Sequence, residues 1–150
     1  MGHSYSRSLF HVVFSAKDRR KCLDAALRER LWPYLGGIAR RNDMQLFSIG
    51  GVEDHVHCLL CIPANLSLSK AVQLPKGASS KWIHETFPEQ KQFAWQEGYG
   101  AFSLSISSIP ETVKYIQRQE EHHRTRTLEQ EFVAFLRRHN IEFDQRFVFG

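Results

Sequence analysis

At 150 residues with 42% hydrophobic content, the chain is long enough for one real core and too short for two ordinary domains, so residues 1–150 are expected to form a single domain. No apolar run approaches the ~20 residues of a membrane span, and the opening MGHSYSRSLF lacks the basic-then-apolar layout of a secretory leader, which points to the cytoplasm and away from a membrane partner. The net charge of +4 excludes nothing by itself, but its distribution is uneven, with clusters at Arg19-Arg20-Lys21, Arg40-Arg41, His122-His123-Arg124 with Arg126, and Arg137-Arg138-His139. Such clusters suit phosphate contacts, or equally the solvated ends of helices.

Residues 5–15 (YSRSLFHVVFS) are rich in β-branched and aromatic types and read as a first strand. After the basic loop AKDRRK, Leu23, Leu27, Leu31, Leu35 and Ile38 recur at helical spacing, predicting a helix over 23–41 that Pro33 should kink. Residues 45–52 and 55–62 read as two strands of a hairpin turning at Glu53-Asp54. Ser67 is placed to cap a second helix carrying Leu68, Ala71, Val72, Leu74, Ala78, Trp82 and Ile83, which Pro75 and Gly77 should interrupt. A loop from Phe87 to Gly100 leads to a fourth strand over 101–107. Ser108-Ile109-Pro110-Glu111 reads as a capping box opening a third helix over 109–126, and a last helix over 128–139 shows Leu128, Phe132, Phe135 and Leu136 on one face. The order β-α-β-β-α-β plus two helices is that of a ferredoxin-like, RRM-like α+β fold with an antiparallel sheet.

The run HVHCLLCI holds the first group that could carry chemistry. On a strand, His55 and His57 project from one face about 6–7 Å apart at the backbone, close enough to grip one ion. Two buried histidines with hydrogen-bond partners are the alternative. Cys58 and Cys61 form a C-x-x-C in the same run, but residues three apart on a strand point to opposite faces, so both are read as small core hydrophobes. The third helix, PETVKYIQRQEEHHRTR, is too polar to be held mainly by burial. Tyr115 and Gln119 lie one turn apart on one face, with Arg118 and His122 beside them. A tyrosine among basic side chains is placed to meet a phosphate, and the Gln119 carbonyl oxygen suits a hard cation such as Mg²⁺ or Mn²⁺. A solvated surface is the alternative here.

Taken together, DHVHCLL, the helix VKYIQRQEEHH, the preceding WQEGYGAFSLSIS and the tail IEFDQRFVF resemble the single-tyrosine transposases of insertion sequences that move as single strands. Their motif is histidine–hydrophobic–histidine, and the resemblance covers nearly the whole chain. It implies a homodimer, and a divalent metal, Mg²⁺ or Mn²⁺, held by His55, His57 and Gln119. It also implies Tyr115 as nucleophile on the added helices, and single-stranded DNA with hairpin ends, cut to leave a 5′-phosphotyrosine and a free 3′-OH. A tyrosine phosphate can be attacked again because phenol, with a pKa of about 10, leaves more readily than an alcohol. Arg19, Arg20, Lys21, Arg124 and Arg126 are candidates for the hairpin on charge alone.

Three other readings compete with that one. The first is a non-catalytic RNA- or single-stranded-DNA-binding module of the same fold, using Tyr5 and Phe10 to stack bases. The second is a hydrolytic metalloenzyme in which Tyr115 is structural. The third shares the transposase chemistry, as a domesticated relative that processes repeat hairpins in the genome. The resemblance also motivates shared sites in the dimer, Tyr115 from one subunit and His55 and His57 from the other, which the sequence itself leaves open.

Overall fold

Alternation of side chains along the strands divides the molecule into two layers on either side of one sheet. A computed structural model describes residues 2–149. Its strands are β1 (Ser8–Ser15), β2 (Gln45–Val52), β3 (His55–Ile62) and β4 (Gly100–Ser103). They lie in the order β2-β3-β1-β4, and every neighbouring pair is antiparallel. The α+β, ferredoxin-like expectation therefore holds. No helix among the described residues is long and apolar enough to cross a membrane.

Val12 and Phe14 of β1, with Val56, Cys58, Leu60 and Ile62 of β3, face the crossover helices α1 (Ala25–Arg41) and α2 (Leu68–Thr86). They meet Leu27, Leu31 and Leu35 of α1 and Ala71, Val72 and Ile83 of α2. Each valine, leucine, isoleucine or phenylalanine among them contributes about 1.5–3 kcal/mol when fully removed from water. The alternate residues face the other way. Val13 and Phe102 pack on Phe132, Phe135 and Leu136 of α5 (Leu128–Arg138). Three C-terminal helices, α3 (Ile109–Gln117), α4 (Gln119–His122) and α5, thus close the second face, on which His11, His55 and His57 also lie.

Several local expectations are corrected. The first strand starts at Ser8, leaving Tyr5 exposed, and the fourth stops at Ser103, where residues 106–108 coil into a 3₁₀ turn. Helix α2 runs unbroken through Pro75, whose ring is buried, so packing offsets the backbone bond that proline cannot make. Ser108 makes no side-chain cap. The reciprocal capping box sits instead at Thr127 and Gln130, opening α5. The expected 109–126 helix breaks at Arg118, whose φ and ψ of −104° and 26° leave the helical region.

Candidate active site

The register of β3 turns His55 and His57 toward the C-terminal helices, and both side chains are fully buried there. Each ring is held from behind. His55 Nδ1 lies 2.6 Å from the Asp54 carboxylate, and His57 Nδ1 lies 2.7 Å from His11 Nε2 on the neighbouring strand. Both Nε2 atoms therefore point the same way, into the space under α4 and α5. Partners of this kind on the far nitrogen fix a ligand imidazole's orientation.

Helix α3 descends onto β2 at one point. Ile116 is fully buried, and its carbonyl and side chain lie so close over Gly50 that a Cβ there would collide with them. This contact sets the depth of the helix and the place of its neighbour Tyr115. The Tyr115 ring stacks on His122 at 4.4 Å between centroids, and its hydroxyl donates a short hydrogen bond to Glu131 Oε2. After the break at Arg118, Gln119 is buried. Its amide donates to the Tyr115 carbonyl at 3.3 Å, and its Oε1 lies 3.1 Å from both His55 Nε2 and His123 Nε2. The four side chains singled out in the sequence, His55, His57, Tyr115 and Gln119, are thus brought to one place within a single chain.

Two further residues occupy the same spot. Glu131 of α5 is 1% exposed, and its Oε1 lies 3.0 Å from His57 Nε2, 3.3 Å from His123 Nε2 and 3.5 Å from His55 Nε2. His55, His57, His123 and Glu131 each offer one donor atom, all within 4.8 Å of one another. Imidazole nitrogens and a carboxylate oxygen at this spacing are a donor set fit for a divalent cation. Sequence reasoning missed both residues. His123 was grouped with the basic cluster. Glu131 falls three residues after Leu128 and one before Phe132, so a carboxylate stood on the apolar stripe of the last helix, and that was the available signal.

The protonation balance follows from this crowding. Burial opposes a charge on His55, but the Asp54 and Glu131 carboxylates outweigh it and lift its pKa to about 9. At His57 burial prevails over Glu131 and lowers the pKa to about 4. For Glu131, burial is overcome by hydrogen bonds from His123, His55 and His57, which hold it far below the usual carboxylate range. Burial, then the negative charge of Glu131, push the Tyr115 phenol above its ordinary value.

Two hollows flank the cluster. A cleft of about 240 Å³ between α3 and α5 is lined by Tyr115, Glu131, His11, Arg126 and Arg138. A groove of about 590 Å³ on the far side of His123 gathers Arg19, Lys21, Arg124 and Arg126 together with Asp18, Glu53, Asp54 and Glu129, of which Glu129 pairs with Arg19 at 3.4 Å. The loop after β1 and the segment before α5 thereby share one surface of mixed charge, with Arg126 reaching both hollows. Cys58 lies on the opposite, helix-packed face as a free buried thiol, its pKa pushed up to about 12 by burial, in keeping with a core role.

Residues 4–119 match the profile of the IS200-like transposases. The ISDra2 transposase TnpA of Deinococcus radiodurans is 25% identical over 126 residues, covering 80% of this chain and 90% of that protein. The transposase of insertion sequence element IS200 from Salmonella typhimurium is 27% identical over 104 residues, covering 66% and 68%. Among solved structures, a Deinococcus radiodurans protein described as a transposase superposes with a TM-score of 0.65 at 26% identity, covering 79% of this chain and 96% of its own. A REP-associated tyrosine transposase bound to a REP hairpin shares the fold, with a TM-score of 0.56 at 16% identity over 77% of this chain and 68% of that one.

Proposed function

Because the chain belongs to the IS200-like transposase family, we propose that it cleaves and rejoins single-stranded DNA at hairpin-flanked ends through a 5′-phosphotyrosine on Tyr115. The observation that carries this reading is the meeting of Tyr115 with His55, His57 and Gln119 at the edge of an arginine-lined cleft. A phosphodiester lying there has a nucleophile, cationic side chains for its charge, and a donor set for a divalent ion, Mg²⁺ or Mn²⁺, on His55, His57 and Gln119. The chemistry that such an ion supplies is polarisation of the phosphate, which a neutral phenol needs in order to attack.

In the chemical step the bond from Tyr115 Oη to phosphorus forms as the phosphorus–O3′ bond breaks. The phenolic proton has Glu131 Oε2 as its nearest acceptor, and the departing O3′ takes a proton from solvent. The phosphotyrosine conserves the ester bond, so a new 3′-OH can attack it, lose its proton and return Tyr115 to the phenol without ATP. Arg126 and Arg138 line the cleft where the phosphate would sit, and Arg124 and Arg126 in the groove beyond His123 extend cationic contacts toward the adjoining strand. The reading includes a homodimer, implied by the family resemblance.

The test is strand cleavage of a hairpin-bearing oligonucleotide with Mg²⁺ or Mn²⁺, its linear duplex counterpart alongside. Cutting of the hairpin substrate that leaves a 3′-OH and stops with EDTA is expected. Cleavage that continues unchanged in EDTA would remove the metal from the account.

A further inference from the structure

Glu131 and His123 both lie beyond residue 119, where the match to the family profile ends, yet they face His55 and His57 across a buried space. We propose that His123 and Glu131 are additional ligands of the metal centre. The resulting three-imidazole, one-carboxylate site selects a borderline transition ion of the Mn²⁺, Co²⁺, Zn²⁺ kind over Mg²⁺. This rests on the transposase reading for its biological meaning, but the donor geometry stands independently of it.

Spacing is the first ground. Glu131 Oε1 sits 3.0, 3.3 and 3.5 Å from the Nε2 atoms of His57, His123 and His55. Ligands about 2.0–2.1 Å from one ion in a tetrahedral arrangement are separated by about 3.3–3.4 Å. The Glu131 oxygen thus already stands close to the separation from each imidazole that an ion would impose, and all four donors lie within 4.8 Å of one another.

Orientation is the second. Asp54 holds His55 Nδ1, His11 holds His57 Nδ1, and the Tyr115 hydroxyl engages Glu131 Oε2. Each of these partners leaves the opposite atom, Nε2 or Oε1, as the one turned inward. Two of the three rings and the carboxylate are thus fixed from behind, so those three donors need little reordering to bind.

The third ground is the chemistry of the donors and their burial. Imidazole suits zinc and its first-row neighbours, whereas Mg²⁺ prefers oxygen ligands and keeps several waters. The side chains of His55 and His57 are 0% exposed, that of Glu131 2% and that of His123 11%. A hydrated Mg²⁺ has little room among them. Gln119 Oε1, 3.1 Å from His55 Nε2 and His123 Nε2, adds a neutral oxygen at the side and remains the weakest donor of the set.

The experiment titrates the metal-free chain with Co²⁺ and follows its visible absorption, then competes with Mg²⁺. Co²⁺ is expected to bind with the intense bands of a low-coordinate nitrogen–oxygen site and to resist a roughly hundredfold excess of Mg²⁺. His123→Ala and the nearly isosteric Glu131→Gln should each weaken Co²⁺ by about tenfold or more, and Gln119→Ala by less. Displacement of Co²⁺ by equimolar Mg²⁺, or wild-type Co²⁺ affinity in both the His123 and Glu131 variants, overturns the proposal. A Tyr115–DNA adduct formed in Mg²⁺ alongside either of those results would leave the transposase reading standing. Co²⁺ binding as expected, in a chain that forms no adduct with any hairpin, would uphold this site and sink the transposase reading alone.

Discussion

Tyr115 is wedged between the His122 ring and the Glu131 carboxylate, so Tyr115→Phe removes one hydroxyl and keeps the packing of the ring. The variant is expected to lose all strand cleavage and to bind hairpin DNA as the wild type does, with stability changed by no more than about 1–2 kcal/mol in chemical unfolding. Glu131→Ala is a different kind of change. It strips the acceptor from two buried imidazoles and the partly exposed His123 and should cost the metal-free protein about 3–5 kcal/mol, read from the shift of its urea midpoint. His55, His57, Tyr115 and Gln119 were legible in the sequence because the histidines stand two apart in a strand and the tyrosine and glutamine four apart in a run that reads as one helix, although the helix breaks between them at Arg118. Glu131 and His11 were not, because each meets the site only through the packing of elements far apart in the chain. His11 lies on β1 opposite β3, and Glu131 lies 74 positions from His57.

At the scale of elements, the placing of the tyrosine helix depends on one close approach. Gly50→Ala would drive a methyl group into the Ile116 carbonyl and is expected to cost about 1–3 kcal/mol. Cleavage should fall as well, because lifting α3 moves Tyr115 away from the histidines. A fall in thermal stability with full cleavage rate would show that α3 finds its place by other means. Thr127→Ala removes the cap of α5 and should cost about 1 kcal/mol. The strands and crossover helices could be read from hydrophobic period alone, since each has a face to bury. The break at Arg118 could not. The polar run after Tyr115 carries no period to mark it, and what turns Gln119 inward is its contact with His55 and His123. The capping box was likewise misplaced, because Ser108-x-x-Glu111 and Thr127-x-x-Gln130 satisfy the same pattern and only the second forms both bonds.

At the scale of the whole molecule, the groove beyond His123 and the tyrosine cleft form one surface joined at Arg126, with Arg124 and Arg138 beside it. Binding should therefore favour single-stranded hairpins over duplex and weaken with salt, the slope of log affinity against log salt being about −0.7 per phosphate contacted on a single strand. Equal affinity for a linear duplex would reduce the groove to nonspecific attraction. Within one chain Tyr115 already reaches Glu131 and packs near His57, so each site of the proposed homodimer is expected to be complete in one subunit. Mixing Tyr115→Phe with His57→Ala protein should then leave cleavage absent, whereas rescue in the mixed dimer would mean that sites are shared. The central claim, a covalent bond between Tyr115 and the 5′ phosphate of the cut strand, is tested most directly with a hairpin oligonucleotide labelled at its 3′ end. After incubation with a divalent metal, denaturing electrophoresis should show the label travelling with the protein, and peptide mass analysis should place the nucleotide on Tyr115. Cleaved strand with no label retained on the protein, or an adduct that persists in Tyr115→Phe, would contradict it.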